Sequence, residues 1–300
     1  MGSEMCIRDR SFARALLPFA GKDDTHDMGF IFFPTVVQAF KVTGQELYKK
    51  AALQAAEMLM KRYNAAGHFL RAWGKLGTKK KAGWSIIDTM MNLELLFWAA
   101  QVSGDYRFKE VAYAHAITSM KQHIRPDGST FHVVILDPHS GTVLKKQTHQ
   151  GATDSSTWAR GQAWTVYGFA TAYKYTQDER FLRASRRAAD FMVAHLPDDL
   201  VPYWDLTAEQ AHEYKDASAA AILASGLYRL AEQVKSGSAM LKYQQTADQI
   251  VESLINNYAY WNSERAIEEG LLLHQVYPVS YTHLRAHETS LHLVCRLLLE

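Results

Sequence analysis

Apolar positions recur at helical spacing through almost the whole chain, and the pattern repeats. After a turn at Thr43-Gly44-Gln45, the residues Tyr48, Ala51, Ala52, Ala55, Ala56 and Leu59 fall at the i, i+3, i+4, i+7 spacing of one buried stripe, while Lys49, Lys50, Gln54 and Glu57 point elsewhere. The same order of apolar helix, short turn and amphipathic helix returns around Gly104 and again around Gln177, with a weaker copy running from Leu230 into Tyr243. The helix before each turn, such as that over 90–102, is apolar on more of its circumference, which predicts an inner helix with an outer one packed against it. Short β-rich stretches at 67–73 and 129–134 lengthen the connections between hairpins. Inner helices ringed by outer ones predict an all-α fold, an α/α six-hairpin toroid. A closed ring at this period needs roughly 360–400 residues. About four and a half hairpins are present, so the ring is expected to be incomplete.

Composition narrows the class. Of 300 residues 48 % are apolar and only 7 are proline, which excludes a disordered chain. Lys and Arg number 33 against 31 Asp and Glu, a net charge of +2 that gives no electrostatic case for nucleic acid or an anionic membrane surface. No apolar run approaches the roughly 18–20 residues of a spanning helix. The two cysteines, Cys6 and Cys295, support neither a disulfide framework nor a thiolate metal site. Both lie in terminal stretches, 1–10 and 279–300, that look foreign to the rest and resemble translated sequencing-adapter read-through; genuine terminal segments are the alternative. The body of the protein is then 11–278. Each terminal stretch is charge-neutral, so removing both leaves the net charge unchanged.

Polar residues gather where inner helices begin. The lead-ins are Thr25-His26-Asp27-Met28-Gly29-Phe30, Ser85-Ile86-Ile87-Asp88-Thr89-Met90, Asp154-Ser155-Ser156-Thr157-Trp158-Ala159-Arg160-Gly161-Gln162, and Lys215-Asp216-Ala217-Ser218. Asp27 and Asp88 stand one repeat apart and should hold equivalent places on neighbouring hairpins. A carboxylate pair of that kind can split its titration, one member staying protonated as an acid while the other stays ionised. Capping is the competing explanation for any such Asp, and it is the expectation for Asp154 and Asp216. Trp73, Trp158, Trp164 and Trp204 suit either a packed core or a sugar-binding face. The 13 histidines show no metal-ligand spacing, and no phosphate loop or nucleophile elbow occurs.

Seven motifs in order resemble the unsaturated glucuronyl hydrolases, glycoside hydrolase family 88: His26-Asp27-x-Gly29-Phe30, Arg71-Ala72-Trp73-Gly74, Ile87-Asp88-x-x-x-Asn92-Leu93, Thr148-His149-Gln150-Gly151, Trp158-Ala159-Arg160-Gly161-Gln162-Ala163-Trp164, Pro202-Tyr203-Trp204-Asp205 and Asp216-Ala217-Ser218-Ala219. The resemblance implies an α/α toroid without metal or organic cofactor. It implies removal of a 4,5-unsaturated uronic acid from the non-reducing end of oligosaccharides left by polysaccharide lyases, in the bacterial cytoplasm. By motif, Asp88 matches the general acid/base and Asp27 the second essential carboxylate. Trp73, His132, Gln150, Arg160 and Trp164 match positions lining the sugar subsite, with Arg160 expected to pair with the uronate carboxylate. The family's aromatic segment ahead of the His-Asp motif has no counterpart here, and the sequence diverges at about Pro278. Two alternatives stay open, an unsaturated rhamnogalacturonyl hydrolase and an inactive fragment with exposed apolar flanks.

Overall fold

The computed structural model describes residues 11–209, 214–235, 237–259 and 272–274. The two stretches read as adapter-like lie outside the described residues. Backbone contacts divide the chain into two compact units, one holding the residues up to Thr118 with Ile135–Leu144, the other Ser119–Val134 and the residues from Lys145 onward.

In the first unit, the helix Met28–Phe32 runs through a wider π-helical turn, Phe33–Val37, into the helix Gln38–Thr43. Pro34 lies inside that turn; it has no amide hydrogen to give to the helical ladder, which locally changes pitch. Gly44 ends the run at φ 67, where its N–H reaches the Phe40 carbonyl, and Glu46–Met60 turns back. The buried positions of Glu46–Met60 are Tyr48, Ala51, Ala52, Ala55, Ala56 and Leu59, the stripe expected from the spacing. Thr89–Ser103 is buried at twelve successive positions from Thr89 to Ala100, as an inner helix should be, and Gly104 at φ 75 reverses the chain into Tyr106–Gln122. Tyr63–Asn64 and Phe69–Leu70 form a short antiparallel pair with Tyr63 opposite Leu70 and Asn64 opposite Phe69.

One contact sets how the first two inner helices meet. A Cβ on Gly29 would lie 2.3 Å from Asn92 Cα, so only glycine lets the Met28–Phe32 backbone approach the start of Thr89–Ser103 this closely. At the same place the Phe30 N–H donates to Asn92 Oδ1 at 2.9 Å.

The second unit repeats the hairpin. Ala159–Thr176 packs against Glu179–Ala194 and against Ala217–Ala231, which in turn packs against Gly237–Ser253. Gln177 takes the left-handed conformation at the first turn, and the Asp178 side chain caps the outer helix through the Arg180 N–H. Asp216 caps Ala217–Ala231 by accepting from the Ala219 N–H at 3.1 Å, as expected. Asp154 does not cap a helix. Ala159–Thr176 begins at Trp158, and Asp154 instead accepts from the Thr148 N–H at 3.0 Å and pairs with Lys145 at 3.1 Å, because the loop carries it four residues short of the cap. No helix among the described residues is long and apolar enough to cross a membrane.

A buried imidazole gives this unit a pH dependence. His123 is fully buried and donates from Nδ1 to the Phe131 carbonyl at 2.9 Å. Burial pushes it down to about 4; the Phe131 bond opposes that shift and Lys146 adds to it. The folded state therefore holds His123 neutral where the unfolded chain, titrating near 6.5, already binds a proton. The associated stability is complete above pH 6.5 and is lost as the pH falls from about 6.5 towards 4, by up to about 3 kcal/mol. Urea unfolding at successive pH values should show this slope, and His123→Gln should flatten it.

Candidate active site

Asp27 and Asp88 occupy matching places. Asp27 stands at the N-terminus of Met28–Phe32 and Asp88 at that of Thr89–Ser103, and neither side chain makes the cap hydrogen bond that an Asp ordinarily makes there. Because the two helices pack at Gly29 and Asn92, two residues past Asp27 and four past Asp88, both carboxylates belong to the same end of the pair. The Asp27 side chain is 41 % exposed and therefore open to a ligand, with Oδ2 accepting from Thr25 Oγ1 at 3.2 Å and Oδ1 lying 3.2 Å from His26 Nε2. Asp88 is half-buried. His26 itself is buried, which pushes its imidazole below the ordinary range; Asp27 works against that shift, Arg62 with it. At neutral pH the ring beside Asp27 is uncharged.

Arg62 binds the neighbouring loops together. Its guanidinium is buried and donates to four backbone carbonyls: Asp23 at 2.7 Å, Arg71 at 2.8 Å, Ala72 at 2.9 Å and Gly74 at 3.0 Å. One side chain thus ties the segment leading to Asp27 to the segment carrying Trp73. The Ala72 N–H donates to the Trp84 carbonyl at 2.8 Å, which adds the strand Trp84–Ile86 leading to Asp88. Trp73 is half-buried beside Trp84, with ring centroids 5.7 Å apart. Asp27, Asp88 and Trp73 are therefore brought together within the first unit.

The second unit assembles the other named residues. Arg160, on the first turn of Ala159–Thr176, donates from Nη1 to both oxygens of Asp216, at 3.1 and 2.9 Å, and to Ser218 Oγ at 2.8 Å. Its Nη2 lies 3.4 Å from Gln150 Oε1, a long contact, and its guanidinium carbon stands 4.9 Å from the Trp158 ring centroid. The Asp216 side chain is wholly buried, where Arg160, the Ala219 N–H and the Ser218 hydroxyl meet its carboxylate. His132 is buried, and its Nδ1 accepts from the N–H groups of His149 and Gln150, each at 3.2 Å, which puts its own proton on Nε2. Burial, with His149, His123 and Arg160 nearby disfavouring a further positive charge, holds it well below the ordinary imidazole range. His132 thus anchors the loop that presents Gln150. Trp164, on the helix Ala159–Thr176, is 3 % exposed; Trp158 just before that helix and Trp204 in a loop are buried together, at 3 and 7 %.

Asp205 braces the same loop from below. Its buried carboxylate accepts from the Ala152 N–H at 3.0 Å, Ser156 Oγ at 2.6 Å, the Thr157 N–H at 3.1 Å and the Thr207 N–H at 3.2 Å. A Cβ on Gly151 would come within 2.7 Å of Thr148 Oγ1 and 3.1 Å of Asp205 Oδ2, so the turn beside Gln150 closes only around glycine. Among the described residues no group of three or more His, Cys, Asp or Glu is placed to hold a metal ion.

The model of Glycosyl Hydrolase Family 88 matches residues 20–277, a stretch that contains both carboxylates and every side chain described above. The chain belongs to glycosyl hydrolase family 88. It is 39 % identical over 238 residues to the unsaturated glucuronyl hydrolase of Bacillus sp. strain GL1, covering 79 % of this chain and 63 % of that protein. It is 35 % identical over 256 residues to the unsaturated chondroitin disaccharide hydrolase of Streptococcus pyogenes serotype M1, covering 85 % of this chain and 63 % of that one. The chain thus spans less than two thirds of the length of either relative. Among solved structures, the Bacillus sp. GL1 unsaturated glucuronyl hydrolase superposes with a TM-score of 0.85 at 36 % identity, over 93 % of this chain and 74 % of that one. A Streptococcus agalactiae variant complexed with dGlcA-GalNAc6S does so at 0.77 and 28 %, over 95 % and 70 %. The fold is that of these enzymes, the all-α α/α toroid class that the hairpin pattern predicts.

For this family member, reading the motifs alone passed over three residues that hold the site. Arg62 carried no visible signal, since a lone Arg at the end of an amphipathic helix reads as a solvated charge. Asp205 stands inside the Pro202-Tyr203-Trp204-Asp205 motif, which by itself assigns it no role. Asp216 looks like a cap from its local sequence, and its pairing with Arg160 across 56 positions appears only in the folded chain.

Proposed function

We propose that this chain carries the catalytic centre of an unsaturated glucuronyl hydrolase. It takes a 4,5-unsaturated uronic acid from the non-reducing end of a lyase-generated di- or oligosaccharide, in the bacterial cytoplasm. The observation that supports this most directly is the placing of Asp27 and Asp88 at the starts of two packed inner helices, with a half-buried Trp73 tied to both segments.

The substrate's C4=C5 bond is an enol ether, so a proton added at C4 leaves a cation at C5 that the ring oxygen stabilises. Protonated Asp88 delivers that proton. The carboxylate left behind takes a proton from water as the water oxygen bonds to C5, so Asp88 acts first as acid and then as base. The resulting C5 hemiketal opens to a ketone, the hemiacetal left at C1 expels the neighbouring sugar, and one water is consumed in all. Asp27 is the neighbouring carboxylate that keeps the proton on Asp88 and stabilises the cation at C5. This differs from ordinary glycosidases, whose carboxylates flank the anomeric carbon. By motif, Trp73, Gln150, Arg160 and Trp164 match sugar-lining positions, and His132 anchors the loop that carries Gln150.

Loss of the conjugated double bond's ultraviolet absorbance tests this reading directly. The chain should consume unsaturated chondroitin or hyaluronan disaccharide faster than the unsaturated rhamnogalacturonan disaccharide. Faster loss of the latter would assign the related rhamnogalacturonyl activity, and no loss with either would leave the chain an inactive fragment.

A further inference from the structure

Asn92 makes, from the neighbouring helix, the capping bond that Asp27 leaves undone. An aspartate at an N-cap ordinarily accepts from the N–H of the second or third helical residue. Counted from Asp27, those residues are Gly29 and Phe30. The Phe30 N–H is already met by Asn92 Oδ1 at 2.9 Å, from 62 positions along the chain. Asn92 is fully buried, and it comes this near because Gly29 has no Cβ; one there would lie 2.3 Å from Asn92 Cα and 2.6 Å from its carbonyl oxygen. Its Nδ2 is buried too and meets no acceptor among the described residues, so what Asn92 brings to the contact is its oxygen.

With that donor met, the Asp27 carboxylate turns back towards the residues before it. Thr25 Oγ1 accepts from the Asp27 N–H at 3.0 Å and donates to Oδ2 at 3.2 Å, and His26 Nε2 stands 3.2 Å from Oδ1. Asp88 is relieved of capping in another way. The second and third residues of its helix are Met90 and Met91, whose N–H groups go to the backbone carbonyls of Ile87 and Asp88, each at 3.0 Å. That turn closes on its own main chain. One carboxylate is thus released by local backbone, and the other by a side chain on the helix that Asp88 begins.

We propose that Asn92 is a positioning residue: by capping Met28–Phe32 from the neighbouring helix, it keeps the Asp27 carboxylate free for the substrate. Its effect on turnover rests on the hydrolase reading above; its effect on Asp27 rests on the helix contact alone. Without Asn92 Oδ1 the Phe30 N–H lacks an acceptor, and Asp27 stands where an aspartate ordinarily supplies one. The carboxylate then swings onto the helix end and leaves the site.

Asn92→Ala in the full chain tests this through turnover and through stability. Measured per folded molecule on unsaturated chondroitin disaccharide, kcat should fall about thirtyfold while KM stays within about twofold, the split expected when a group acting in the transition state is displaced. In an Asp27→Asn background the same substitution should cost less than about twofold, because the carboxylate it acts through is already gone. Urea unfolding reads the cap without turnover. Asn92→Ala should lower the midpoint further in an Asp27→Ala background than in the wild-type one, since only Asp27 can take over the Phe30 N–H. Asn92→Thr, which keeps more volume and can bond its hydroxyl to its own helix, repeats both comparisons if Asn92→Ala does not fold. An unchanged kcat per folded molecule, an equal loss of kcat in the Asp27→Asn background, or midpoint losses that simply add would each overturn the proposal. Absence of turnover by the wild-type chain sinks the hydrolase reading instead, and the urea comparison then decides by itself whether Asn92 releases Asp27.

Discussion

Replacing Asp88 by Asn should lower the rate of double-bond loss by at least about a thousandfold, the scale of a removed general acid that also serves as base. That corresponds to roughly 4 kcal/mol of barrier. The dissociation constant for the unsaturated disaccharide should change little, because Asn keeps the shape of the side chain and the sugar contacts lie on other residues. Stability should stay within about 1 kcal/mol of wild type, since the substitution is isosteric at a half-buried position. The decisive comparison is kcat against thermal midpoint. Activity that survives in Asp88→Asn would move the acid role to Asp27.

The opposite profile is expected at Asp216. Asp216→Ala strips Arg160, only 12 % exposed, of its carboxylate and removes the cap from Ala217–Ala231. Breaking a buried ion pair from one side costs about 3–5 kcal/mol, because the remaining charge stays desolvated without a partner. A lost cap costs about 1 kcal/mol more. The two losses share a side chain and will not add fully. Urea unfolding followed by tryptophan fluorescence should show a midpoint well below that of Asp88→Asn. Asp216→Asn, which keeps an oxygen for the Ala219 N–H, should fall between Asp216→Ala and wild type. An Asp216→Ala protein as stable as wild type would mean that Arg160 finds solvent or another acceptor when its partner is gone.

These two aspartates show how far local sequence carries. Each precedes an apolar helix, and from that alone capping is the economical reading for both. Asp216 does cap; its neighbour in the argument, Asp154, sits four residues too early and braces the Thr148 backbone instead. Asp27 and Asp88 stand at cap positions and do not cap. Nothing in a window of ten residues separates these outcomes. The family resemblance implies chemistry for Asp27 and Asp88, and the packing of Gly29 on Asn92 places both at one end of two touching helices.

What the sequence determined by itself is the part governed by periodicity. The hairpin turns at Gly44, Gly104 and Gln177, the six-residue stripe of Glu46–Met60 and the burial of Thr89–Ser103 from Thr89 to Ala100 all follow from which residues face water at 3.6 per turn, a local property. What only tertiary structure decided is where polar groups find partners. Arg62 reaches four carbonyls of two loops, Arg160 meets Asp216, and His132 accepts two amide hydrogens. A buried charge or imidazole must be met by whatever the fold brings near, at separations of tens of residues. That demand leaves no periodic trace in the chain, so it became visible only when the helices were packed.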